Sequence, residues 1–315
     1  MRKILITGGA GFIASSLAEK LIEDDDNFVI IVDDLSTGHV KKLPVEKKEN
    51  WKFIKCDVNN RRDISEIMMA YRFDFVFHYA AVVGVQKTLM HPLLVLQDVE
   101  GIKNILTLSK NTGVQRIYFS SSSEIYGEPV EYPQNEYTTP LNSRLPYAIV
   151  KNLGEAFLKA YQQEFGLDYT IFRFFNTYGP KQSRHFVISK FLISALNNED
   201  ITVYGDGKQT RTFCFIDDNI ETCISAFNNS KLINDVANIG SNIETTIYEL
   251  AQTVIRLTGS KSKIVHLPPL KEGDMSGRLP DTRKMRAILN KPLIPLETGI
   301  KNILDNGLFE MKHNL

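Results

Sequence analysis

The first apolar run of the chain, Ile4-Leu5-Ile6, is followed at once by Thr7-Gly8-Gly9-Ala10-Gly11-Phe12-Ile13-Ala14. Glycines between a strand and a helix let the chain turn tightly, and they let backbone N–H groups approach a pyrophosphate at the helix N-terminus. Ala14 is the third small residue of the pattern and permits close packing of helix on strand. The second strand-like run, Val29-Ile30-Ile31-Val32, ends on Asp33-Asp34, with no arginine in the next few positions. A carboxylate at Asp33 accepts from adenosine ribose hydroxyls and repels a 2′-phosphate, so the pattern predicts NAD rather than NADP. Gly8, Gly11, Phe12 and Ile13 form the expected cradle. Asp57 and Val58 follow the third strand, and Ala80 and Ala81 the fourth. Ligands of an open α/β sheet gather at such carboxyl ends, which adds these four residues to the expected cofactor set.

The first two-thirds of the chain alternates short apolar runs with longer helical patterns, as repeated βαβ units do. Strands are predicted at Lys3–Ile6, Phe28–Val32, Lys52–Lys55, Phe75–His78, Gln115–Phe119 and Tyr169–Phe172, with helices near 11–23, 61–71, 92–111 and 146–165. The strands are nearly continuous apolar runs, which suits a sheet covered on both faces. After about residue 176 the rhythm changes. Short strands at Ile201–Tyr204, Val236–Ile239 and Lys263–His266 mix with helices near 186–197, 217–228, 246–258 and 281–289. The expected fold class is α/β: a Rossmann-type doubly wound parallel sheet over 1–176, with a smaller α/β substrate-binding lobe over 177–315 and interleaved boundaries.

Composition narrows the function classes. The 37 basic residues balance 37 acidic ones, so no polyanionic partner such as nucleic acid is indicated. Cys56, Cys214 and Cys223 form no CxxC pair and no metal-ligand spacing, and read as buried thiols of a reducing compartment. The histidines form no HxxxH pattern, so no metal site is expected. The N-terminal apolar run is too short for a signal peptide, and no stretch approaches the ~20 apolar residues of a membrane span. A cytoplasmic protein is expected.

Tyr147-Ala148-Ile149-Val150-Lys151 sets Tyr147 and Lys151 four residues apart on one helix face. A free phenol titrates near 10, too high for a base at neutral pH. A nearby ammonium and the positive nicotinamide ring of an oxidised cofactor both favour the phenolate, and Lys151 can also hold the nicotinamide ribose, which puts Tyr147 and Lys151 in the expected cofactor set. Upstream, the apolar run Arg116–Phe119 delivers Ser120-Ser121-Ser122-Ser123-Glu124-Ile125-Tyr126-Gly127.

Together the runs TGGAGFIA, VDDLSTG, HYAA, SSSSEIYG, YAIVK, FRFFNTYGP, VYGDGKQTRTFCFIDD and EGDMSGRLPD resemble those of the extended short-chain dehydrogenases/reductases, in the nucleotide-sugar epimerase/dehydratase group. The likeness spans essentially the whole chain. It implies an enzyme with a tightly held NAD, in which Ser122, Tyr147 and Lys151 form the catalytic triad. Tyr147 would take the proton of the sugar 4′-hydroxyl while hydride leaves C4′ for NAD, and Ser122 would hydrogen-bond the same oxygen. It further implies Asn176 as a contact for the diphosphate and sugar, Arg211 and Arg278 as diphosphate clamps, and Val187 and Phe191 as lining for the base pocket. Arginine suits that work because its fork donates paired bonds to phosphate oxygens. His78 would be a structural residue near the cofactor.

Members of the group share C4′ oxidation and differ in the fate of the ketone. A 4,6-dehydratase needs an aspartate and then a glutamate after the catalytic Ser/Thr, and here the pair is Ser123-Glu124, which disfavours dehydration. Serine then glutamate resembles UDP-glucuronate decarboxylases, but the glycine- and acid-rich stretch after their tyrosine is absent, and Asp98 replaces the usual asparagine. The expected outcome is a C4 epimer or a released 4-keto nucleotide sugar, for surface polysaccharide precursors. UDP-glucuronate decarboxylation is the alternative, and a non-catalytic NAD-binding scaffold a remote one. Glu124 is expected at the C5–C6 end of the sugar, and helices near 92–111 and 146–165 are expected to pair in a homodimer.

Overall fold

The computed structural model describes residues 1–45, 48–84, 88, 90–269 and 277–313, so residues 272–276 of the EGDMSGRLPD stretch lie outside the described residues. Strands β1 (Arg2–Thr7), β2 (Asn27–Asp33), β3 (Trp51–Lys55), β4 (Phe75–His78), β5 (Arg116–Ser122) and β6 (Asp168–Phe174) join the strand Asp235–Ile239 in one seven-stranded sheet. Starting from Asp235–Ile239, the order is β6, β5, β4, β1, β2, β3. β1 pairs in parallel with both β2 and β4, β2 with β3, and β4 with β5. The chain thus runs outward through β2 and β3 and returns to the other side of β1. That reversal makes the space beyond the ends of β1 and β4 the switch point at which such sheets bind ligands.

Helices α1 (Phe12–Leu21), α2 (Arg61–Tyr71), α3 (Pro92–Leu96), α4 (Asp98–Thr112) and α5 (Pro146–Phe165) belong with this sheet. Strand residues alternate between two covered faces. On one face Leu5, Ile30, Val76, Ile117, Phe119 and Ile171 share a buried cluster with residues of α2, α4 and α5. On the other, Phe77 stacks on Tyr118 at 4.4 Å, and Phe227 meets each of them edge-on at 5.7 Å. α5 opens with Pro146 at its first turn and stops at Gly166, whose φ of 70° closes the helix in the left-handed conformation.

The contacts divide the chain into two compact units. One holds residues 1–125, 143–173 and 220–237, and the other 126–142, 174–219 and 238–315. In the second, Ile201–Tyr204 pairs in parallel with Ile264–Leu267, and Thr210–Thr212 pairs antiparallel with Glu244–Thr246. Thr246 then caps the helix Ile247–Thr258 through a reciprocal capping box with Glu249.

Several elements differ from the sequence expectation. The strand near 236–239, expected in the smaller lobe, is an edge of the large sheet beside β6. Its run of buried residues Val236 to Ile239 suits a strand covered on both faces. The helix expected over 92–111 is divided into α3 and α4 at Gln97, whose backbone stays helical while the Glu100 N–H bonds to the Gln97 carbonyl (3.0 Å) and tightens the turn. β5 runs three residues further than expected and takes Ser120 to Ser122 into the strand. The helix Leu296–Asn306 has no counterpart in the sequence expectation, although Pro295 and Gly307 flank it in the usual start and stop positions.

Gly154 lets α5 lie close to β5: a Cβ there would come within 2.5 Å of Phe119 Cζ and 3.2 Å of Ile102 Cδ1. Gly154→Val is expected to lower stability by about 1–3 kcal/mol through overpacking, read as a lower urea midpoint with unchanged slope. An unchanged midpoint would show that the helix does not need this approach.

Candidate active site

β1 and β4 end side by side, and a single hydroxyl ties their loops. Thr7 Oγ1 accepts from the backbone N–H groups of Tyr79 and Ala80, both at 3.1 Å, and lies 2.8 Å from His78 Nδ1. A hydroxyl has two lone pairs and one proton. With both lone pairs taken, its proton goes to Nδ1, which fixes His78 as the neutral tautomer protonated at Nε2. Burial, with the positive charge of Lys151 as a smaller contribution, pushes the His78 pKa down to about 3. The imidazole is therefore a neutral structural acceptor at working pH.

Gly8 follows Thr7 at φ 66°, and a Cβ there would stand 2.7 Å from the Cα and N of Ala80. Only glycine fits both the backbone angle and the neighbour. The Gly11 N–H turns back onto the Gly8 carbonyl at 3.0 Å, and α1 then starts at Phe12 with no side-chain cap. The amides of Phe12 and Ile13 have no intrahelical partner, which is the arrangement that receives a phosphate. Asp33 ends β2 close by. Its Oδ2 accepts from the Ala10 N–H (3.0 Å) and its Oδ1 from the Leu35 N–H (2.8 Å). Burial raises its pKa while the two amides oppose the rise. Two of the carboxylate's four acceptor positions remain for ribose hydroxyls. Asp34 adds a second negative charge, and residues 35–38 supply no arginine, so the pair of carboxylates disfavours a 2′-phosphate.

Asp57 folds its carboxylate onto the Asn59 N–H at 2.9 Å, and the Val58 carbonyl accepts from Asn104 of α4 at 3.0 Å. Ala80 and Ala81 lie half-buried just past β4. A glycine cradle, an uncapped helix start and a paired carboxylate fit a dinucleotide. When bound there, NAD supplies the oxidant.

The candidate reacting groups lie at the end of β5 and the start of α5. Ser122 Oγ accepts from the Glu124 N–H at 3.1 Å, so its proton remains to be donated elsewhere. Tyr147 is half-buried in the first turn of α5, while Lys151, one turn on, is only 3% exposed. The Lys151 ammonium stands 5.8 Å from the centre of the Tyr147 ring and 5.0 Å from that of Phe119. Burial lowers the Lys151 pKa to about 8, opposed by the charge of Asp98. Asp98 itself accepts from the Val82 N–H at 2.7 Å, and burial raises its pKa. The structure thus brings Tyr147 and Lys151 together. Glu124 lies half-buried in the single helical turn Ser123–Tyr126.

The residues expected at the substrate belong to the second unit. Asn176 has φ 32°, a conformation asparagine tolerates better than most residues, and its Nδ2 is buried with no partner among the described residues. Arg278 is 5% exposed, and Arg211 lies half-buried on the strand Thr210–Thr212, with Nη1 donating to the Thr210 carbonyl at 2.7 Å. Val187 opens the helix Val187–Leu196 half-buried, whereas Phe191, 2% exposed, is a core side chain. One candidate has no sequence signal. Gln134 is fully buried, its amide has no partner among the described residues, and its backbone pairs with Leu279 (2.7 Å) and Asp281 (2.8 Å), next to Arg278.

The Lys151 shift has a thermodynamic consequence. Below about pH 8 folded and unfolded chains both carry the proton, so the burial cost is complete. Between about 8 and 10.5 the folded protein has released it while the unfolded chain still holds it, and stability rises with pH. Lys151→Met, stripped of cofactor, is therefore expected to be more stable than the parent by roughly 3 kcal/mol at pH 7, with the gap closing as the pH approaches 10. Paired urea midpoints across that range measure it, and a gap independent of pH would contradict the assignment.

Three comparisons bear on the family of the chain. The profile described as "NAD dependent epimerase/dehydratase family" matches residues 4–240. The chain is 36% identical to the UDP-N-acetyl-alpha-D-glucosaminuronate decarboxylase of Bacillus cytotoxicus, over 96% of this chain and 97% of the relative. It is 33% identical to a putative UDP-glucose 4-epimerase of Methanocaldococcus jannaschii, over 96% and 97%. Among solved structures, the UDP-glucose 4-epimerase of Thermotoga maritima with UDP-glucose aligns at a TM-score of 0.91 and 32% identity, covering 99% of this chain and all of that one. The chain belongs to the NAD-dependent epimerase/dehydratase family, as an NAD-using enzyme of the extended short-chain dehydrogenase/reductase type.

Proposed function

We propose that the chain oxidises the C4′ hydroxyl of a nucleotide sugar to a 4-keto species, which leaves either as the C4 epimer or as the 4-keto nucleotide sugar itself. The observation that carries this reading is the Lys151 ammonium, buried one helical turn behind a half-buried Tyr147 at 5.8 Å from its ring. An ammonium out of water favours the phenolate beside it. Tyr147 then takes the C4′ hydroxyl proton, and Ser122 donates its free proton to the same oxygen. Asn176, Arg211 and Arg278 hold the diphosphate, and Val187 borders the base. The relatives named as UDP-sugar enzymes support a UDP sugar as substrate. Supply of surface polysaccharide precursors in the cytoplasm fits such a product. Among the described residues no helix is long and apolar enough to cross a membrane.

Decarboxylation is the second reading. Glu124 follows Ser123 directly after Ser122, and a relative at 36% identity is named a decarboxylase. A 4-ketone is β to a C5 carboxylate, so CO2 loss is electronically easy once oxidation has occurred. Against it stands Asp98, a half-buried acid close enough to Lys151 for the two charges to act on each other. The chain is also proposed to act as a homodimer, since exposed Leu93, Leu94 and Leu96 of α3 and exposed Ile149 and Leu153 of α5 give these helices uncovered apolar residues.

The test is turnover of a panel of nucleotide sugars by the NAD-loaded protein, with products identified by NMR. A C4′ epimer or a 4-keto sugar without CO2 supports the first reading, and CO2 release the second. Tyr147→Phe is expected to lower kcat by roughly 10²–10⁴-fold. Turnover unchanged in that variant would contradict the assignment of the base. Glu124→Gln is expected to change substrate preference or product while NAD affinity stays at the parent value, and a variant matching the parent in all three makes the carboxylate a bystander.

A further inference from the structure

A buried charge cluster joins the elements that carry Ser122 and Tyr147. Glu155 lies on α5 one turn beyond Lys151 and two beyond Tyr147, on the same helix face. Its Oε1 accepts from Ser121 Oγ at 2.6 Å and from Arg173 Nε at 2.9 Å, and its Oε2 accepts from Arg173 Nη2 at 2.7 Å. Ser121 directly precedes Ser122 on β5, and Arg173 sits near the end of β6. Ser121, Glu155 and Arg173 are 2%, 1% and 1% exposed.

Stability alone does not explain such a cluster. Apolar residues of similar volume usually replace a buried ion pair with no loss, or with a gain. What apolar contact lacks is direction. Along α5, Val150 and Leu158 add non-directional core contacts, Gly154 sets the close approach to the Phe119 ring, and the Tyr161 hydroxyl, 3.0 Å from Thr107 Oγ1, ties the helix to α4 rather than to β5. A bidentate guanidinium–carboxylate fork holds one geometry, and here the same carboxylate also grips the strand next door. An axial slide by the rise of one residue would carry Tyr147 and Lys151 about 1.5 Å relative to Ser122.

We propose that Glu155 is a positioning residue: with Arg173 and Ser121 it fixes the axial register of α5 against β5, and thereby the placement of the Tyr147 phenol against the Ser122 hydroxyl. The inference rests on the reading of Tyr147 and Ser122 as the groups of C4′ oxidation.

Glu155→Gln leaves a buried guanidinium without its counter-charge and risks misfolding. The tests are therefore the paired Glu155→Met/Arg173→Met protein, which removes both charges, and Ser121→Ala, which cuts only the tether to β5. Both are compared with the parent for unfolding midpoint, NAD affinity, KM and kcat on the best nucleotide sugar of the panel. Midpoint, NAD affinity and KM are expected to stay near parental values, while kcat falls by roughly ten- to a hundredfold, the scale of an ångström misplacement. Ser121→Thr, which keeps the hydroxyl, is expected to retain the parental kcat. Folded variants with the parental kcat, or with the whole loss in KM, overturn the positioning role and leave C4′ oxidation standing. A parent with no turnover on any nucleotide sugar overturns C4′ oxidation, and the positioning role falls with it.

Discussion

An ammonium held out of water next to a phenol is the constraint around which this site is built. Lys151 has burial against it and, among the described residues, Asp98 as the charge in its favour. Its neighbours keep the balance tolerable. Gly154 lets α5 come down onto Phe119, so that the ammonium gains an aromatic face at 5.0 Å. His78 stays neutral because it is buried and feels the same positive charge, while Thr7 sets its tautomer. A second cation is thus kept away, and in the proposed reaction the Tyr147 phenol is the group the ammonium acts on.

The cofactor cradle depends on the same short stretch of sheet. Because the strand order reverses between β1 and β4, the loops behind them lie side by side, and Gly8 packs against the Ala80 backbone with no room for a side chain. Thr7 joins both loops through one hydroxyl, so the position of the glycine turn and the tautomer of His78 are set together. Asp33, bonded to the Ala10 N–H inside the glycine run, ties the end of β2 to the same place.

Much of this is legible in the sequence where the signal is local. The glycine run, Asp33 at a strand end and the four-residue spacing of Tyr147 and Lys151 lie within single elements, and the expected helix 146–165 matches α5 to the residue. The division at Gln97 is hidden because 92–111 carries an unbroken helical pattern. The strand Asp235–Ile239 is expected in the wrong sheet, since its partner β6 is over sixty residues away and apolar periodicity names no partner. The same limit hides the Glu155 cluster. Its members are 18 and 34 residues from the glutamate, and a lone Glu, Arg or Ser in an ordinary pattern reads as surface. Gln134 is silent for a similar reason: its burial follows from backbone pairing with Leu279 and Asp281, far along the chain.

The central claim is that the buried Lys151 charge makes Tyr147 a base. The most direct measurement is an ultraviolet titration of phenolate absorbance, with the Tyr147→Phe protein subtracted in the parent and in a Lys151→Met background. The account predicts that the Tyr147 phenol ionises at lower pH in the parent than in the Lys151→Met protein. Coincident titrations in the two backgrounds would contradict it.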